Sequence, residues 1–128
     1  MVKGKILRLS TPYGQYDVRV ARKSYASNGS LAVVLYYDEC GQFLPFGSIT
    51  VNIEDGDNVR ARYDLWILAK EGKRFACQYV DTNNFEYVVR FLEENKIAFF
   101  TGGFADSGYC SYPLYAFDLD KLAELERG

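Results

Sequence analysis

The sequence predicts an α+β fold in a single domain: mainly antiparallel β-sheet, a meander, packed by one main helix at about 84–94 and a short C-terminal helix. Three observations carry this. Aromatic residues reach 16%, with 11 Tyr and 9 Phe, types that favour pleated, half-buried surfaces. The first half of the chain alternates apolar and polar residues between turn signals, the period of a half-buried strand. Helical spacing is confined to the second half. With 128 residues, 48% of them hydrophobic and 25% charged, residues 1–128 suffice for one domain with its own core.

Residues 5–10 (KILRLS) read as a strand, and Thr11, Pro12, Tyr13 and Gly14 turn the chain. Residues 15–24 form a second strand with Tyr16, Val18 and Val20 on one face and Asp17, Arg19 and Ala21 on the other. Ser27, Asn28, Gly29 and Ser30 make a hairpin turn, because Asn-Gly readily takes positive φ. Residues 31–37 (LAVVLYY) are the central strand, residues 38–42 turn again, and residues 46–53 (FGSITVNI) return with Ile49, Val51 and Ile53 on one face. This completes a four-strand meander.

Residues 57–72 admit two readings. Val59, Tyr63, Trp66 and Ile67 follow helical spacing, with Asp57 or Asn58 as cap and Gly72 as stop. Against this, residues 65–68 are apolar all round, and Glu71-Gly72 ahead of residues 74–80 also suits a hairpin; the helix is preferred. Residues 75–80 (FACQYV) are a strand. Asn83 is placed as N-cap with Glu86 three residues on, a capping box. Phe85, Val88, Val89 and Leu92 follow as one buried stripe, and Asn95 ends the helix in a left-handed conformation. Residues 97–100 are a short strand, 101–113 a Gly- and Ser-rich loop, and 114–117 another short strand. Asp118 caps the last helix, which runs to about Leu125 with Leu119, Leu122 and Ala123 inward.

The absence of histidine excludes Ser-His and Cys-His nucleophile activation and HExxH metal sites. The cysteines, Cys40, Cys77 and Cys110, have no zinc-like spacing and read as free thiols. No cofactor or metal is called for. Thr101 to Gly108 is glycine-rich but lacks the Lys and helix start of a phosphate loop. A net charge of −2 argues against binding nucleic acid through a general positive excess. One local basic strip, Arg19, Arg22 and Lys23 with Tyr16 and Tyr25 interleaved, has the charge and rings that hold single strands; a charged edge strand looks the same. No run reaches the ~18 apolar residues of a membrane span, and the first residues lack a signal-peptide core, so a cytoplasmic location is expected.

Several motifs recur together in the second half. They are Ser48 to Asn52 (SITVN), Asp81 to Asn84 (DTNN), Thr101-Gly102, Ser107 to Tyr115 (SGYCSYPLY) and Phe117 to Leu119 (FDL). Over residues 43–122 this combination resembles a family of small proteins of unknown function from Gram-positive bacteria and their conjugative and other mobile elements. The chain departs from it by a longer insertion between Asn52 and Phe75. The resemblance implies no activity. Its setting implies a non-catalytic interaction module of a mobile genetic element, of the counter-defence kind (anti-restriction or anti-CRISPR), whose protein partner is a host nuclease. The candidate contacts are Tyr109, Tyr112 and Tyr115 around Pro113, and the acidic turns Asp38-Glu39 and Glu54, Asp55 and Asp57, whose charge can mimic nucleic acid. A single-strand-binding accessory protein and a small carboxylate- or thiol-based enzyme are the alternatives.

Overall fold

A computed structural model describes residues 4–53 and 59–128. The α+β class holds, with two four-stranded antiparallel sheets and three helices among the described residues. The first sheet is the expected meander, β1 (Leu7–Thr11), β2 (Gly14–Ser24), β3 (Leu31–Glu39) and β4 (Gln42–Ser48), in that spatial order. The second contains β5 (Thr50–Val51), β6 (Phe75–Val80), β7 (Ala98–Ser107) and β8 (Cys110–Asp118), ordered β5-β6-β8-β7. The helices are α1 (Val59–Glu71), α2 (Val88–Glu94) and α3 (Leu119–Arg127).

The fourth strand differs from the expected single run over 46–53. It ends at Ser48, and the chain changes sheets at Ile49. There the Ile49 amide donates to the Val33 carbonyl of the first sheet (2.9 Å), and the Ile49 carbonyl accepts from the Asp81 amide beside the second (2.8 Å). One residue thus holds both sheets at a shared corner. Gly47, just before it, has φ 150°, and a Cβ there would lie 3.1 Å from the Phe85 ring, so only glycine lets that ring close over the corner.

The main core lies between the sheets. Leu9, Val18, Val20, Val33 and Leu35 from the first meet Ala98, Tyr115 and Phe117 from the second. Val88, Phe91 and Leu92 of α2 and Leu122 and Leu125 of α3 join the same cluster. Each such fully buried apolar side chain contributes about 1.5–3 kcal/mol. A smaller cluster on the other face of the second sheet packs Ile67 of α1 against Cys77, Tyr79, Leu114 and Ala116.

The preferred helical reading of the ambiguous segment holds: α1 ends at Gly72, whose amide donates to Leu68 O at 2.9 Å with φ 73°. The capping residues expected at Asp57 and Asn58 lie outside the described residues. Three local expectations are corrected. The Asn83–Glu86 box does not form, because a turn organised by Asp81 occupies residues 81–85 and the helix begins beyond it. Its carboxylate accepts from the Asn84 amide (3.2 Å) and side chain (2.9 Å), and its carbonyl from the Phe85 amide (2.9 Å). The α-helix therefore starts only at Val88. Asn95 keeps φ −90° and bonds the Phe91 carbonyl through its side chain; Lys96 takes the positive φ of 56°. Residues 101–113, expected as loop, are the β7–β8 hairpin. Glycines hid it, since two of them form a bulge and Gly108 sits in its turn. Asp118 caps α3 as expected, accepting from the Lys121 amide at 3.1 Å; Leu122 and Leu125 are its buried residues, while Leu119 and Ala123 are half-buried.

Candidate interaction surface

β7 is an edge strand with the sequence AFFTGGFADS. Its pairing with β8 slips between Phe100 and Phe104. In that bulge Thr101 Oγ1 donates to the Leu114 carbonyl (2.7 Å) and accepts from the Gly103 amide (3.2 Å). A bulge interrupts the row of edge amides and carbonyls, so the edge is poorly suited to sheet extension. It offers side chains instead. Phe99 stacks edge-on to Phe75 at 5.3 Å, and Phe100 meets Phe104 at 5.2 Å and Tyr115 at 5.6 Å.

Alongside runs α1. Tyr63 and Trp66 touch edge-on at 6.3 Å, and Lys70 Nζ lies 5.2 Å from the Trp66 ring centre. Between helix and strand is a groove of about 510 Å³ lined by Val59, Arg62, Tyr63, Trp66 and Thr101. A second hollow, which shares Trp66 and Thr101 with it, is lined also by Lys70, Phe99 and Phe100. Gly103 leaves room here, since a Cβ would stand 3.2 Å from the Tyr63 hydroxyl. Of nine large hydrophobic side chains exposed among the described residues, six belong to these two elements: Leu65, Trp66, Leu68, Phe99, Phe100 and Phe104. Trp66 is 55% and Phe104 61% exposed. Phe99 lies on the α1 side of the sheet with Phe75, and Phe100 and Phe104 on the other face beside Tyr115, so exposed rings line both sides of one edge. Single exposed apolar residues are ordinary, but such a concentration at an edge marks a contact surface. Trp, Tyr and Arg side by side are the composition of binding hot spots.

Sequence reasoning passed over this surface although its signal was visible. The all-round apolarity of residues 65–68 counted against a helix; it belongs to a helix that buries Ile67 and presents Leu65, Trp66 and Leu68 outward. The tyrosine cluster around Pro113 does not exist as one exposed surface. Alternation along β8 sends Tyr112 toward α1 and Tyr115 toward the main core. Tyr115 is only 5% exposed, and its hydroxyl donates to Glu93 Oε1 at 3.2 Å. Burial, with the Glu93 charge and hydrogen bond added, pushes that phenol up to about 12. Only Tyr109, at the hairpin turn, is fully exposed.

Asp38 and Glu39 stand exposed at the β3–β4 turn, where the Tyr37 hydroxyl donates to Glu39 at 3.2 Å. Glu54, Asp55 and Asp57 lie outside the described residues. The basic strip divides. Arg22 faces inward to bond Glu126 of α3, Tyr16 packs against the core and Tyr25 is half-buried, and Arg19 and Lys23 occupy the opposite face of β2.

Two polar sites lie on β6, one on each face. Gln78 is fully buried, accepts from Arg60 Nη1 (2.6 Å) and donates to the Leu31 carbonyl (2.7 Å) and Ser30 Oγ (3.2 Å). Asn52 extends the network to Ser27, Asn28 and Ser30, tying the β2–β3 turn to the second sheet. Asp64 accepts from the Cys77 amide at 2.7 Å. Burial raises both the Asp64 carboxyl and the Cys77 thiol; the charge and hydrogen bond of Asp64 lift the thiol further, while those from Cys77 and Arg60 oppose the carboxyl's rise. A thiol held protonated is a poor nucleophile. Cys40, Cys77 and Cys110 are all free. Among the described residues no three His, Cys, Asp or Glu side chains gather as a metal cradle, and no helix is long and apolar enough to cross a membrane.

A family model described as a domain of unknown function, DUF4313, matches residues 20–128, and the chain belongs to that family. The matched stretch includes the whole α1–β7 surface and leaves out β1. No curated protein and no solved structure matches the chain.

Proposed function

We propose that this member of the DUF4313 family is a non-catalytic protein-binding module that docks its partner on the aromatic surface of α1 and β7. The observation that carries this is the concentration of exposed apolar side chains there, beside Arg62 and Lys70. Burying rings of this size drives association, while flanking cations set orientation and encounter rate. The non-catalytic reading draws on the protonated state of the buried Cys77 thiol and on the lack of histidine. The partner's class follows from the resemblance to proteins of mobile elements: a host defence nuclease, blocked by occupation rather than by chemistry.

A photo-cross-linking phenylalanine analogue at position 104 tests the reading. In cells that contain the partner it should trap one discrete protein, and the same analogue at position 109 should not. Trp66→Ala should lower the yield at least tenfold, the effect of one hot-spot residue. Trapping that survives Trp66→Ala but disappears on combining Asp38→Lys with Glu39→Lys would move the interface to the acidic turn and sink the proposal.

A further inference from the structure

The outer face of the first sheet carries a separate inference. Arg19 of β2 pairs in register with Tyr36 of β3, and Tyr36 with Pro45 of β4, so these side chains share one face. By the period of two, Arg8, Lys23 and Phe43 join them. Arg19 lies 4.2 Å from the centre of the Phe43 ring, and Lys23 Nζ 6.0 Å from that of Tyr36. Neither hydrophobic cluster takes a side chain from this face. Helices α2 and α3 contribute to the core on the inner side, and α1 packs on the second sheet.

We propose that this face binds single-stranded nucleic acid. Its chemistry matches that ligand: the rings of Tyr36 on β3 and Phe43 on β4 for unstacked bases, and the cations Arg8, Arg19 and Lys23 of β1 and β2 for phosphates. Asp17, paired with Arg8 at 3.0 Å, and Asp38, in register with Phe43, share the face, so the site is a weak, salt-sensitive one, compatible with an acidic protein overall. Rings and cations address bases and phosphates and do not read the ribose 2′ hydroxyl. The occupant is therefore any single strand, bound apart from the protein partner proposed for α1 and β7.

Fluorescence anisotropy with labelled oligothymidylate, oligouridylate and a duplex, each of about 20 nucleotides or base pairs, tests this. Both single strands should bind within about threefold of each other and the duplex more weakly, because its bases are stacked away from the rings. Three phosphate contacts give a log–log salt slope near −2. Tyr36→Ala should weaken binding about tenfold, and Arg19→Ala should make the slope shallower by about 0.7. Lys23→Ala, at an exposed position, repeats the slope test where Arg19→Ala disturbs the fold. Trp66→Ala should change nothing. Absence of single-strand binding at low salt, a duplex bound as tightly, or affinity that ignores Tyr36→Ala and Lys23→Ala would overturn the proposal.

Discussion

The two sheets share one core yet present different outer faces. Among the described residues no helix covers the outer face of the first, which carries stacked cation–ring pairs. The second covers its outer face with α1 and displays its apolar surplus along one edge, on β7 and the exposed flank of the helix. The contrast teaches how one residue of register decides a side chain's role. Leu35 is fully buried and Tyr36 only partly so; Ile67 is 1% exposed and Trp66 more than half. Neighbours in sequence serve stability and recognition in turn.

Breaking the inner member of each pair should have the largest effect. Leu35→Ala and Ile67→Ala should each cost about 3 kcal/mol by chemical denaturation, from lost burial plus the cavity left behind. Trp66→Ala and Tyr36→Ala should each cost about 1 kcal/mol or less. Equal losses within either pair would erase the distinction between core and surface. Next comes the polar network of Gln78 between the sheets. Gln78→Leu removes the acceptor of Arg60 and the donor to the Leu31 carbonyl, and should cost about 2 kcal/mol by leaving buried polar groups unsatisfied.

Tyr115→Phe should cost about 1 kcal/mol at neutral pH through the lost bond to Glu93. Its alkaline behaviour is more telling. The unfolded chain releases this proton near pH 10, whereas the folded protein holds it until about 12. Stability thus falls as pH rises between those values, because the unfolded state binds fewer protons there. Cys77, also raised from 9.0, adds a parallel fall that begins lower. The variant should lose only the Tyr115 part, so the wild-type and variant curves should converge above pH 10. The smallest effect belongs to Tyr109→Ala, within about 0.5 kcal/mol, since the ring stands clear of the hairpin turn.

Much of the fold was legible in the sequence, and the reasons for the exceptions are specific. Alternation revealed the meander because each strand of the first sheet has one buried face. The β7–β8 hairpin was hidden because Gly102 and Gly103 form a bulge and read as loop residues. The capping box at Asn83 failed since sequence spacing does not show that Asp81 folds residues 81–85 into a turn ahead of the helix. The candidate site was less legible. Tyrosine count drew attention to β8, but alternation there sends Tyr112 and Tyr115 to opposite faces. The exposed rings of α1 and β7 come from segments with β6 and α2 between them in the chain, which only the fold brings together.

Hydrogen exchange on the complex, once the trapped partner is purified, tests the central claim most directly. Binding should slow exchange of amides in Val59–Glu71 and Ala98–Ser107 and leave the outer face of the first sheet unchanged. Protection centred on residues 38–42 or on the outer face of the first sheet, with α1 and β7 exchanging as in the free protein, would contradict it.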